Sequence, residues 1–272
     1  MKQRRTPGAV APGMAAAMLF GSLAAAAGEN DVDLELVLAV DVSYSMSLEE
    51  QAVQRQGYVD AFRRPEVLGA IRGGPLGRIA VTYVEWGGRS VQVVPWTVID
   101  SSAAAERFAS ALNAMPLQRL PFTSISNALL FSRSLFRANA LDGARKVVDV
   151  SGDGPNNGGA PVPLARNTLL AAGIVIDGLA VMLESAETTD AATIPDLDAY
   201  YEHCVIGGRG AFVMKVTDAE QFAETIRRKL VLEISGPKLT RSPDRAPTMR
   251  ATYAAARSYN CLVGEELLER RS

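Results

Sequence analysis

Residues 34–45 read LELVLAVDVSYS, a run that is apolar except for Glu35 and leads without a break into Asp41, Ser43 and Ser45. A short continuous apolar run suits a strand covered on both faces, as in a parallel sheet between helices. Open α/β sheets bind their ligands outside the carboxyl ends of the strands. That is where the pattern D-x-S-x-S sets one carboxylate and two hydroxyls.

The rest of the chain repeats the alternation. Apolar runs follow at 78–86, 91–98, 146–150, 173–182 and 211–216, and helical spacing fills 48–62, 103–115, 124–136, 162–172 and 219–232. Only Gly87-Gly88-Arg89-Ser90 separates the second run from the third, which fits a hairpin and one antiparallel edge strand. The other connections need crossover helices. The expected fold is therefore α/β and doubly wound, with a mainly parallel six-stranded sheet, one antiparallel edge strand and helices on both faces.

The chain has 272 residues, with 28 Lys and Arg against 30 Asp and Glu, and is 48% hydrophobic, which places it among folded chains rather than disordered ones. One His and two Cys exclude a zinc site built from those residues, so any metal must be held by oxygen. The first thirty residues pass from Lys2, Arg4 and Arg5 through an apolar stretch at 13–27 to a small-residue end. This reads as a secretory signal over 1–27, its apolar part being shorter than the ~20 residues of a membrane helix. Its removal takes away three positive charges and leaves a formal charge of −5.

An acidic mature chain is a poor partner for nucleic acid, and neither a membrane partner nor a lipid anchor is expected after cleavage. The expected location is exported, periplasmic or secreted. Residues 31–235 read as one domain and 236–272 as a poorly ordered tail with a short helix near 264–270. Cys204 and Cys261 leave two readings open: a disulfide, which export permits, or a buried Cys204 with an exposed thiol at Cys261.

Two further oxygen clusters fall at strand ends, LPFTSIS at 120–126 and VSGDGPNN at 150–157. The first and fourth strands of a doubly wound sheet are neighbours, so the loops carrying Asp41 and Asp153 should converge. Carboxylates and hydroxyls there would suit a hard divalent cation.

The arrangement Asp41-x-Ser43-x-Ser45, then Thr123, then Asp153-Gly154, resembles the metal-ion-dependent adhesion site (MIDAS) of von Willebrand factor type A domains. The segments AVDVSYSM, GRIAVTYVEW, VVPWTVID, TSISNAL, DVSGDGPNNGG, CVIGGRGAF and IRRKLVLEI together resemble a bacterial, exported subfamily of that fold labelled a domain of unknown function. The resemblance implies Mg²⁺ or Mn²⁺ at the upper edge of the sheet, held by Ser43, Ser45 and Thr123, with Asp41 and Asp153 direct or through water. It also implies a protein or peptide partner whose acidic group completes the coordination; the oxygen-only site, with no evident nucleophile or general base, points to binding rather than catalysis. Two positions depart from the pattern: Gly152 stands where many such domains carry Thr or Ser, and Phe122 where Gly is common.

Plainer readings exist for each residue. Asp41, Ser43 and Ser45 could form only a turn and a helix cap. Asn156 and Asn157 read as turn residues, Glu85 or Trp86 could line the site, and His203 lacks a paired Ser nucleophile. Two other functions compete: a divalent-metal phosphohydrolase, which usually carries a second acid where Ser43 stands, and a periplasmic small-molecule binding protein, which needs two lobes.

Overall fold

A computed structural model describes residues 28–183, 194–236 and 259–270; the signal expected at 1–27 lies outside them, as do 184–193, 237–258 and 271–272. In chain order the elements are β1 (Asp31–Val32), β2 (Glu35–Asp41), α1 (Leu48–Arg63), α2 (Pro65–Arg72), β3 (Ile79–Trp86), β4 (Ser90–Ile99), α3 (Ser102–Asn113) and α4 (Ile125–Ala138). They continue with β5 (Asp142–Gly143), β6 (Lys146–Gly152), α5 (Val162–Leu170), β7 (Val175–Val181), α6 (Leu197–Tyr200), β8 (Val213–Val216), α7 (Phe222–Ser235) and α8 (Val263–Glu269).

Six strands form one sheet in the order β4-β3-β2-β6-β7-β8. Only the β3–β4 pair is antiparallel, so the hairpin at Gly87–Ser90 does make the edge. Strands β2 and β6 are neighbours, pairing in parallel from Glu35 opposite Lys146 to Val40 opposite Ser151. This register brings the ends of both strands, Asp41 and Gly152, to the same edge of the sheet.

Alternation along β2 explains its unbroken apolar run. Leu36, Leu38 and Val40 enter a core with Phe62 of α1, Phe108 of α3 and Ile226 and Leu230 of α7. Val37 and Ala39 enter the opposite core with Leu129 of α4, Leu169 of α5 and the paired Tyr200 and Tyr201. Trp86 is fully buried in this second core. With side chains alternating between two covered faces, a polar residue in β2 needs its own partner. Glu35 finds one, accepting from Asn139 Nδ2 at 2.8 Å and from Gly143 N at 2.9 Å.

Three features extend the expected pattern. The two-residue strands β1 and β5 pair in parallel apart from the main sheet. Helix α2 begins with Pro65 at its first position, where the missing N–H costs no hydrogen bond. Helix α6 runs into a π-helical turn at Tyr201–Val205.

The short helix expected near 264–270 is present as α8, and over 259–270 the segment is docked rather than loose. Cys261 is bonded to Cys204, α8 follows directly, and Tyr259 Oη donates to an Asp196 carboxylate oxygen at 2.9 Å. A disulfide and a docked apolar face outweigh the polar composition of the preceding stretch: Tyr259, Cys261, Val263 and Leu267 all pack against the second core.

Candidate metal centre

Strand β2 ends at Asp41, which is fully buried. One carboxylate oxygen accepts from Ser43 N at 2.7 Å, closing a tight Asx turn that folds the chain back over the strand end. The other, Oδ2, is buried with no hydrogen-bond partner. From this turn Ser43 Oγ and Ser45 Oγ lie 2.8 Å apart, and Ser45 Oγ donates to Asp153 Oδ1 at 2.7 Å. Thr123 Oγ1 donates to Ser43 Oγ at 3.4 Å. All five residues singled out in the sequence meet in one cluster at the carboxyl edge of the sheet, from the loops after β2, before α4 and after β6.

The capping role that could have explained the serines is filled by others. Ser47 caps α1, accepting from Glu50 N at 3.1 Å while the Glu50 carboxylate accepts from Ser47 N at 2.8 Å. Ser124 caps α4, accepting from Asn127 N at 3.3 Å. Ser43, Ser45 and Thr123 cap neither helix.

Asn156 and Asn157, which read as turn residues in the sequence, position the cluster. Asn157 Oδ1 accepts from Thr123 N and Asn157 N donates to Thr123 O, both at 2.8 Å, clamping the Thr123 loop to the Asp153 loop. Asn156 Oδ1 accepts from Ser126 N at 3.0 Å, and its Nδ2 donates to Glu265 of α8 at 2.7 Å. Partners 30 and 109 residues away left no local signal for this role.

Gly152 has a steric reason. A Cβ there would stand 2.7 Å from Asp41 Oδ2, 3.0 Å from Tyr201 Oη and 3.1 Å from the Trp86 ring. These neighbours fill the space that a Thr or Ser side chain would need.

Charge in the cluster is uncompensated. Burial, and then the Asp153 charge, push the Asp41 carboxyl well above the usual range. Burial pushes Asp153 up to about 6. Two carboxylates and three hydroxyls offer only oxygen donors, the set that hard divalent cations prefer. Among the described residues no three of His, Cys, Asp and Glu gather into a metal-holding group, since the cluster holds only two such residues.

Other candidates fall away from this edge or turn from it. Glu85 is buried in an ion pair with Arg55 of α1. His203 is exposed and stacks on Tyr259, with ring centroids 5.4 Å apart.

A family described as a protein of unknown function, DUF1194, matches residues 31–238. The chain belongs to this family. A comparison with curated proteins returns no match. Among solved structures, the DUF1194 chain resembles proximal thread matrix protein 1 from the mussel byssus, at 15% identity and a TM-score of 0.53 over 74% of this chain and 47% of that one. Another structure of that protein, with 14% identity and a TM-score of 0.51 over 73% of this chain and 46% of that one, has a zinc-occupied MIDAS motif.

A von Willebrand factor type A protein from Catenulispora acidiphila gives 15% identity and a TM-score of 0.51, over 75% of this chain and 43% of that one. The pilus adhesin SpaC from Lactobacillus rhamnosus GG gives 11% identity and 0.53, over 74% and 30%. The DUF1194 chain thus spans less than half the length of these proteins. At such identities the likeness establishes the fold, which is that of von Willebrand factor type A domains.

Proposed function

We propose that this chain is an exported, non-enzymatic binding domain that captures an acidic protein or peptide through Mg²⁺ or Mn²⁺ held by Asp41, Ser43, Ser45, Thr123 and Asp153. The observation that carries the reading is Asp41 Oδ2, a carboxylate oxygen buried without a hydrogen-bond partner beside two serines that cap no helix. An orphaned buried acceptor is costly, and a cation is the partner that removes the cost. A zinc-occupied MIDAS in a protein of the same fold is consistent with this donor set.

When bound, the metal supplies a positive centre to which a carboxylate from outside can be attached. The chain's own groups orient the donors. Ser43 N holds Asp41 in place, Asn157 holds Thr123, and Ser45 joins the first loop to Asp153. With only two carboxylates among the five donors, the site carries less negative charge than a cage built of carboxylates, leaving more attraction for an external acid. Ser45 is hydrogen-bonded to Asp153, but no His, Lys or Cys stands in the cluster to complete a nucleophilic relay, which favours binding over hydrolysis. The Cys204–Cys261 disulfide supports an oxidising compartment, and we assign residues 1–27 as the export signal.

Isothermal titration with MgCl₂ and MnCl₂ after chelation tests the assignment. One binding event per chain, abolished by Asp41→Ala, is expected. Heat of binding that survives in Asp41→Ala would move the metal elsewhere, and hydrolysis of a phosphate-ester panel would favour the enzyme reading.

A further inference from the structure

The rim of the cluster carries exposed apolar side chains, and one of them, Phe122, stands on an unfavourable backbone. Tyr44, between Ser43 and Ser45, is 58% exposed; Phe122, immediately before Thr123, is 57% exposed; Leu48, opening α1, is 53% exposed. Scattered exposed apolar residues are ordinary, but Tyr44 and Phe122 each adjoin residues of one cluster in the chain.

Phe122 is also the one non-glycine among the described residues with positive φ, at 62°. A bulky side chain avoids that region, and strain of this kind persists where the surroundings impose it, often at ligand clamps. The surroundings here are hydrogen bonds on both sides of Phe122: Gly88 N donates to Pro121 O at 2.6 Å, and Thr123 is clamped by Asn157. Two glycines lie close to the ring and its stem: a Cβ at Gly88 would be 3.4 Å from Phe122 Cδ2, and one at Gly158 3.8 Å from Phe122 Cβ. A shallow cleft of about 260 Å³ opens here, lined by Gly88, Phe122, Ser124, Asn127 and Asn157.

On the Tyr44 side, the Arg119 guanidinium lies 5.3 Å from the ring centroid and donates to the Tyr44 carbonyl. The rim therefore joins a fixed positive group to two exposed aromatic rings.

We propose that this rim reads the neighbours of the captured acid: the occupant is an extended peptide whose Asp or Glu is adjacent to an apolar side chain, preferably aromatic. The acid goes to the metal, drawn also by Arg119, and the adjacent side chain packs on Phe122 and Tyr44. This inference rests on the metal-dependent reading above. Phe122 makes it testable, because glycine relieves the backbone strain while deleting the ring.

The experiment pans a random peptide display library on the full mature chain in Mg²⁺ and in EDTA, then measures the selected peptides against variants. Enrichment of acidic peptides only in Mg²⁺, with an apolar residue next to the acid, is expected. Phe122→Gly should bind them at least about tenfold more weakly while melting at the same or a higher temperature, and Tyr44→Ala should weaken them as well. Mg²⁺-dependent acidic peptides with no apolar neighbour, or unchanged affinity in both variants, would overturn the rim's role and leave the metal reading standing. Absence of any Mg²⁺-dependent enrichment, or equal enrichment in EDTA, would overturn the metal-dependent capture on which the inference stands.

Discussion

Ser45 Oγ donates to Asp153 Oδ1 at 2.7 Å although 108 residues separate them, tying the loop after β2 to the loop after β6. The parallel pairing of β2 with β6 makes this contact possible, since both strands end at the same edge. The hydrogen bond gives the hydroxyl proton an acceptor. A cation would instead take lone pairs from both oxygens, and Ser45 would turn its proton outward.

Ser43 and Ser47 differ by four positions and should respond in opposite ways to the same substitution. Ser47→Ala removes the α1 cap and should cost about 1 kcal/mol of stability while leaving Mg²⁺ affinity unchanged. Ser43→Ala should weaken Mg²⁺ binding at least tenfold with a smaller loss of metal-free stability. Urea unfolding and calorimetric titration of both variants check the contrast. Unchanged metal affinity in Ser43→Ala would mean that the Ser43 hydroxyl is not a ligand.

The disulfide encloses a long loop, so its removal should be felt globally. Cys204 and Cys261 are 57 residues apart, for which the chain-entropy argument gives about 4 kcal/mol. The Cys204→Ser, Cys261→Ser double variant should lose a large part of that in urea. Helix α8 should exchange its amide protons first, because it loses its covalent anchor to the second core and keeps only noncovalent ties such as Glu265 to Asn156. Unchanged protection of α8 would show that its noncovalent contacts, Val263 and Leu267 among them, hold it without the disulfide.

A pH effect should arise beneath the other end of the sheet. Burial pushes the Asp177 carboxyl up to about 6, although the Lys229 ammonium pulls the other way. A carboxyl raised in the folded state holds its proton more tightly there than in the unfolded chain. Its contribution is present in full below about pH 4 and is lost as the pH climbs through 6. Asp177→Asn keeps an acceptor for Phe212 N, 3.1 Å away in the parent, and should match wild type at pH 4. At pH 7 it should be more stable by up to about 3 kcal/mol. A variant less stable than wild type at pH 7 would show that the Lys229 pairing outweighs burial.

Much of the sheet was legible because its strands are buried on both faces. An apolar run such as that of β2 has few other homes, and the short Gly87–Ser90 link left only a hairpin. Asp41, Ser43, Ser45 and Asp153 were legible because they follow such runs, and Thr123, in the loop before α4, through the resemblance to an adhesion site. The supports were not. Asn156 looks like any turn residue until Ser126 and Glu265 arrive from 30 and 109 positions away. The docking of 259–270 was hidden in the same way, although its short helix was legible, since its anchor is Cys204 and the second core rather than its own composition. Helix α2 escaped because it has only 8 residues and contains Gly69.

The most direct test is thermal unfolding of the mature protein after EDTA treatment, with and without Mg²⁺ or Mn²⁺, beside Asp41→Ala. A cation that binds only the folded state, at 100 times its dissociation constant, should stabilise wild type by about 2.7 kcal/mol and the variant not at all. Equal melting temperatures for wild type with and without either metal would contradict a metal centre at Asp41.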